Sequence, residues 1–366
     1  MICGNAYPHC MGIGKVSVYD TTLRDGEQAP GVRFSIRQKL SIARHLADVG
    51  VGEIEAGFPA VSDEEKETVR RIAKDGLDVR VLALSRILKR DVDAVIDSGA
   101  DAVILFASAS PLLLKYKMHK TLDEVIEQSV DAVEYAKMHG LYVVYSAEDA
   151  TRTKLNVLLQ IYREVEKAGA SRVHIADTVG VATPHSVSFM VHQIKKRLDG
   201  RTSLCMHCHN DFGLATANAL SGLAAGADAA AATVNGIGER AGNTCLAELV
   251  MCLQLLYGYD IGYDLKGLHR LSSLVEKYSG IRNPPQKPLM GLNAFRHESG
   301  IHVAAVLENP LTYEPFAPEV LGIRRQIVLG KHSGTKAVIA KMDEKGRDCS
   351  TEDAQKILEK LKKTEK

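Results

Sequence analysis

The 366-residue chain has no tryptophan, and aromatic residues make up only 5% of it. Alanine, valine and leucine must therefore fill much of its core. An excess of charge is missing too: 46 Lys and Arg balance 45 Asp and Glu, leaving +1. No global field is available to recruit nucleic acid or an anionic membrane surface, and neither is expected as a partner. Cysteine is sparse. The seven thiols, at 3, 10, 205, 208, 245, 252 and 349, are scattered and odd in number. They exclude a disulfide framework and fit a reducing, cytoplasmic compartment. Long apolar runs are absent as well: the stretch 102–114 contains Pro111 and is too short to span a bilayer. The opening M-I-C-G-N-A-Y-P-H-C has no charged segment ahead of an apolar one, so no signal peptide is expected.

What the chain does have is alternation. Short β-branched or apolar runs recur at 16–19, 53–56, 79–83, 102–106, 142–145, 172–175, 203–206 and 229–234. Helical patterns lie between them, as at 36–49, 64–75, 122–139, 154–168, 184–198 and 214–225. The joints from helix to strand carry glycine: V-G-V-G, S-G-A-D, H-G-L-Y, A-G-A-S and A-G-A-D. A glycine just past a helix end supplies the left-handed cap before the next strand. Eight strand–helix units predict a parallel α/β fold, a (β/α)8 TIM barrel over residues 1–274, with an open doubly wound sheet as the rival. Residues 275–366 are expected to form a helical C-terminal subdomain.

In such a barrel, chemistry sits at the C-terminal ends of the strands. Polar residues crowd those ends here. Strand 1 runs into D-T-T-L-R-D-G-E-Q, residues 20–28, and strand 2 carries Glu55. Strand 5 leads to Glu148, Asp149 and Arg152, and strand 6 to Asp177 and Thr178. Strand 7 ends in H-C-H-N-D, 207–211, and strand 8 in N-G-I-G-E-R-A-G-N, 235–243. His207 and His209, two apart, point the same way if the strand continues through them. Two imidazoles facing a carboxylate from another strand end suit a divalent metal; the bland reading is that they hydrogen-bond within a polar strand end. Cys205 and Cys208 fall on opposite strand faces and read as bystanders. The glycines of G-I-G-E-R-A-G have the wrong spacing for a dinucleotide fingerprint. Arg24 reads either as a salt-bridge partner of Asp20 or Asp25, or as a group that steadies a developing oxyanion.

These motifs, with E-A-G-F-P (55–59), S-A-E-D-A-T-R-T (146–153), A-D-T-V-G (176–180), H-E-S-G-I-H (297–302) and L-G-K-H-S-G (329–334), occur in one order. From about residue 15 to about 335 the chain resembles the metal-dependent TIM-barrel enzymes of Claisen condensation, which include homocitrate, 2-isopropylmalate and citramalate synthases. The resemblance implies acetyl-CoA and a 2-oxo acid as substrates. It implies a divalent ion (magnesium, manganese, zinc, cobalt or iron) held by Asp25, His207 and His209, with Asn243 as a further ligand or close neighbour. Arg24 and Gln28 would then touch the 2-oxo acid, Thr178 its carboxylate, and Glu148 the groups near the acetyl methyl. His302, accompanied by Tyr313, would enter the site of a partner subunit in a homodimer. Motif detail and the length of 366 residues point to 2-oxoglutarate, since isopropylmalate synthases usually carry a further regulatory domain on the order of 100 residues. A second substrate carboxylate wants a cation, for which Arg152 and Arg86 are the expected candidates. A lyase of the hydroxymethylglutaryl-CoA type and a silent barrel used for binding are the readings from other classes.

Overall fold

The computed structural model describes residues 16–363; Cys3, Cys10 and the opening segment read above lie outside the described residues. The chain divides into two compact units, one covering 16–264 with 271–281, the other 265–270 with 282–363.

The first unit is the expected barrel. Its strands are β1 (Ser17–Asp20), β2 (Glu53–Gly57), β3 (Arg80–Arg86), β4 (Ala102–Ser108), β5 (Tyr142–Glu148), β6 (Arg172–Asp177), β7 (Ser203–Cys208) and β8 (Ala229–Ala232). They pair in sequence order, all parallel, and β1 closes on β8 with Tyr19 opposite Ala231. Several strands outrun the β-branched cores that announce them. Parallel partners continue to pair through Ser146, Ala147 and Glu148, so β5 extends to the rim. The intervening helices start on side-chain caps where the sequence supplies them. Ser35 and Gln38 form a reciprocal box before Ile36–Val49, as do Thr121 and Glu124 before Leu122–Met138. Gly50, at φ +105°, ends the first of these helices in the left-handed conformation.

Without tryptophan, the barrel interior is filled by Tyr19, Leu82, Leu84, Ile104, Val144 and the small residues Ala102, Cys205, Ala229 and Ala231. At the N-terminal end of the strands, Glu53 is gripped by Arg172 at 2.5 Å and Arg80 at 2.6 Å. This ion cluster plugs that end and leaves the opposite rim for chemistry. Among the described residues no helix is long and apolar enough to cross a membrane.

The second unit contains the helices Gly300–Glu308, Thr335–Asp343 and Thr351–Lys363, with a two-residue parallel ladder between Arg296–His297 and Gln326–Ile327. Glu314 is buried there between Arg325, at 2.8 and 2.7 Å, and His297, at 3.2 Å.

Candidate metal centre and active-site pocket

A pocket opens at the C-terminal ends of the barrel strands. Asp25, Arg24 and Gln28 follow β1, Glu148 ends β5, Thr178 follows β6, and His207 and His209 close β7; all line it. β7 itself ends at Cys208, but His209 continues its direction, locked by an isolated bridge to Asn243. The two imidazoles therefore share a face, with ring centroids 5.2 Å apart. Both Nε2 atoms approach Asp25 Oδ2, at 3.3 and 3.8 Å. The three residues are buried, and a ligand atom from each lies within 4.8 Å of the others.

This donor set fits a divalent ion on two observations. Asp25 is anionic despite its surroundings: burial opposes its charge, but the Arg24 guanidinium and then hydrogen bonding from His207 hold its carboxyl well below the usual range. His209 is neutral, as a ligand must be, because burial and then His207 push its pKa down to about 4, against the pull of Asp25. The second observation is Asn243. Its amide Nδ2 donates to Asp25 Oδ1 at 2.9 Å, while its own Oδ1 is buried with no hydrogen-bond partner. An orphaned carbonyl beside two imidazoles and a carboxylate is an oxygen donor awaiting a cation.

Arg24 does not pair with Asp20. Its Nε and Nη2 form a fork on Glu55, at 2.7 and 3.0 Å, and Nη1 reaches Asp25 at 2.8 Å. Glu55, fully buried on β2, therefore fixes the guanidinium in the plane of the pocket wall. Gln28 lies 3.5 Å from Arg24 Nη1, a long contact. Thr178 caps no helix; that task falls to Thr183. Its Oγ1 accepts the Asp149 N–H at 2.8 Å, which leaves its hydroxyl proton to donate into the pocket.

The two cations expected for a second substrate carboxylate are elsewhere. Arg152 is held on Asp149 at 2.7 Å, and Arg86 forks onto Asp91 at 2.5 and 3.0 Å; neither lines the pocket. Each is claimed by an acid a few residues away in sequence. The structure brings in others that the sequence did not single out. Lys117 sits on both oxygens of Glu148, at 2.6 and 2.7 Å. Arg240 bridges Asp211, at 2.8 and 2.9 Å, and the Thr178 carbonyl, at 2.6 Å. Tyr19 and His174 stack in the floor. Only the strand-end position of Arg240, inside 235–243, could have flagged any of these. His302 and Tyr313 belong to the second unit, where their rings stack with centroids 4.0 Å apart.

Residues 15–275 match the HMGL-like family, and 289–366 match the homocitrate synthase post-HMGL domain. Homocitrate synthase AksA of Methanocaldococcus jannaschii is 53% identical over 95% of this chain and 86% of its own length. That of Methanothermobacter thermautotrophicus is 51% identical over 95% and 89%. A probable 2-isopropylmalate synthase of Ignicoccus hospitalis is 49% identical over 95% and 87%. Among solved structures, the Bacillus subtilis HMG-CoA lyase superposes with a TM-score of 0.67 at 20% identity, over 75% of this chain and 97% of its own, a likeness of fold. By its barrel, its donor cluster and these likenesses over nearly its whole length, the chain belongs to the HMGL-like family and carries a C-terminal region of the homocitrate synthase type.

Proposed function

We propose that the chain condenses acetyl-CoA with a 2-oxo acid, 2-oxoglutarate before others, to give homocitrate and CoA, and that it does so in the cytoplasm as a homodimer. The observation that carries the reading is the buried Asp25, His207 and His209 cluster flanked by the Arg24 fork. A divalent ion held by that cluster, with Asn243 Oδ1 alongside, supplies a Lewis acid for the 2-oxo carbonyl. Arg24 is preorganised by Glu55 beside the oxygen that gains charge during carbon–carbon bond formation. Gln28 and the Thr178 hydroxyl orient the substrate carboxylate. Glu148, steadied by Lys117, lies on the far wall, where the acetyl methyl must lose its proton. His302 and Tyr313, from residues 275–366 of a partner subunit, complete the site in this reading.

A second reading, 2-isopropylmalate synthesis from 2-oxoisovalerate, draws on the apolar lining of Leu84, Ile104 and Phe106 and on the Ignicoccus relative. Citramalate synthesis from pyruvate is the third. Thiol release from acetyl-CoA by metal-supplemented protein separates them when 2-oxoglutarate, 2-oxoisovalerate, pyruvate and oxaloacetate are offered in turn. The highest kcat/KM is expected with 2-oxoglutarate; a higher value with another acid overturns the assignment of substrate.

A further inference from the structure

The second unit holds a charged cluster that the condensation reading leaves unused. Glu314 is only 4% exposed. Arg325 forks onto it, Nε to Oε1 at 2.8 Å and Nη2 to Oε2 at 2.7 Å, and His297 Nε2 donates to Oε1 at 3.2 Å. Burial opposes its charge, but the bonds from Arg325 and then His297 hold its carboxyl below the usual range. A buried ion cluster is a weak source of stability, since apolar side chains of similar size often serve as well. What a bidentate fork does supply is fixed geometry.

The neighbour whose geometry it fixes is Tyr313. The two residues face opposite ways, Glu314 inward and Tyr313 outward, 46% exposed. Both backbone N–H groups donate to the Pro310 carbonyl, at 3.2 Å from Tyr313 and 3.0 Å from Glu314. The Asn309 side chain caps the same turn by accepting the Leu311 N–H. Beyond Glu314, Phe316 packs edge-on against Phe295, with ring centroids 5.3 Å apart. Arg325 adjoins Gln326, and His297 pairs with Ile327 in the short ladder. The carboxylate therefore ties the Tyr313 turn to that ladder. The ladder in turn leads to His302: the chain passes from His297 through Ser299 into the helix Gly300–Glu308. Gly300 lies so close to Gly334 that a Cβ would stand 2.7 Å from its backbone N. His302 and Tyr313 then meet as exposed stacked rings, their planes 24° apart. Stacking alone orients such rings weakly. The buried clasp behind them holds the backbone that carries them.

We propose that Glu314, clasped by Arg325 and His297, is a positioning residue for the reaction: it holds the Tyr313 ring against His302 in the orientation in which the pair enters the partner's site. This rests on the reading above, in which those two side chains complete that site. A group that only orients others changes the rate at saturation more than the binding of substrate.

The test measures kcat, the KM for acetyl-CoA and for the preferred 2-oxo acid, and the Kd for manganese, on the full chain. Glu314→Gln keeps the shape but not the charge. It is expected to lower kcat about 10- to 100-fold, with both KM values and the manganese Kd within about 2-fold of the wild type. In a Tyr313→Ala background the same substitution is expected to cost less than about 2-fold, because the ring it positions is gone. A role confined to stability would give one factor in both backgrounds. If Glu314→Gln does not fold, or Tyr313→Ala is too slow to read, His297→Phe and His297→Gln carry the test. Loss of the donor is expected to lower kcat about 10-fold, and the amide, which keeps a donor, to recover part of it. Equal kcat in those two variants overturns the clasp. A slowed Tyr313→Ala beside a Glu314→Gln of wild-type kcat overturns the clasp and leaves the reaction standing, as does an equal loss in both backgrounds. Full activity in Tyr313→Ala overturns the placing of this pair in the site, and the clasp with it. A wild type that condenses no 2-oxo acid overturns the condensation reading itself and the clasp with it.

Discussion

At mildly acidic pH, two aspartates five residues apart lie in opposite ionisation states. Asp25 is held anionic by Arg24 and by the hydrogen bond from His207. Asp20, at the end of β1, is completely buried, and burial pushes its carboxyl up to about 7 in spite of hydrogen bonds from the Thr22 N–H and hydroxyl. Its folded pKa lies above its ordinary value of 3.8, so between these values the native chain binds the extra proton. The associated stability is present below about pH 4 and is lost as pH rises through 7. Asp20→Asn abolishes that loss. From pH 5 to pH 8 the wild type is expected to lose stability relative to the variant by on the order of 2–3 kcal/mol, read from urea unfolding at both values. Parallel pH dependences in the two proteins would show that Asp20 is ionised throughout. At this scale the sequence was unevenly legible. His207 and His209 stand in a motif whose spacing exposes them, and Asp25 in one that the family resemblance marks. Lys117 stands in K-Y-K on a π-helical turn, Leu114–Met118, with no tie to a strand end, and His174 reads as one more residue of a core strand. Their places in the pocket come from the closure of the barrel, which no local pattern encodes.

The eight strands were placed correctly because glycine-punctuated alternation is a local signal. Where they end is a property of the ladder: Glu148 and Asp177 are strand residues because a neighbour pairs there. The loop after β8 shows how an element serves the donor cluster. Asn235 and Arg240 adopt positive φ, at 61° and 55°, so the segment curls tightly enough to bring Asn243 over Asp25. Gly238 lies directly beneath that contact. A Cβ there would overlap the Asn243 amide and stand 3.1 Å from Asp25 Oδ1. A buried amide held on Asp25 cannot yield as the far end of a flexible side chain would. Gly238→Ala is therefore expected to weaken divalent metal affinity about 10- to 100-fold, the effect usual for losing a group that orients a ligand. The same overlap should also lower the stability of the metal-free protein, by on the order of 1–3 kcal/mol. Unaltered metal affinity would show that Asn243 plays no part in holding the ion.

For the whole molecule, the question is whether one chain makes one site. His302 and Tyr313 stack on each other in the second unit, which also exposes the apolar side chains Leu292, Ile301 and Leu307. In the proposed homodimer these side chains would lie on the surface that the partner covers. In the homodimer proposed here, that surface carries His302 into the partner's barrel. His302→Ala then disables the partner's site, and Asp25→Ala disables its own. Each variant alone is expected to be inactive. In a 1:1 mixture after subunit exchange, half of the dimers are mixed. In a mixed dimer the defects divide unequally: the Asp25→Ala subunit delivers an intact His302 to an intact donor cluster, while the opposite site carries both lesions. One working site in each mixed dimer amounts to about a quarter of the wild-type activity per site, since random exchange makes half of the dimers mixed. Activity near that level requires the histidine to act across the interface. If mass-tagged subunits demonstrably exchange and the mixture stays inactive, His302 serves its own chain or neither, and the proposed division of the site between subunits falls.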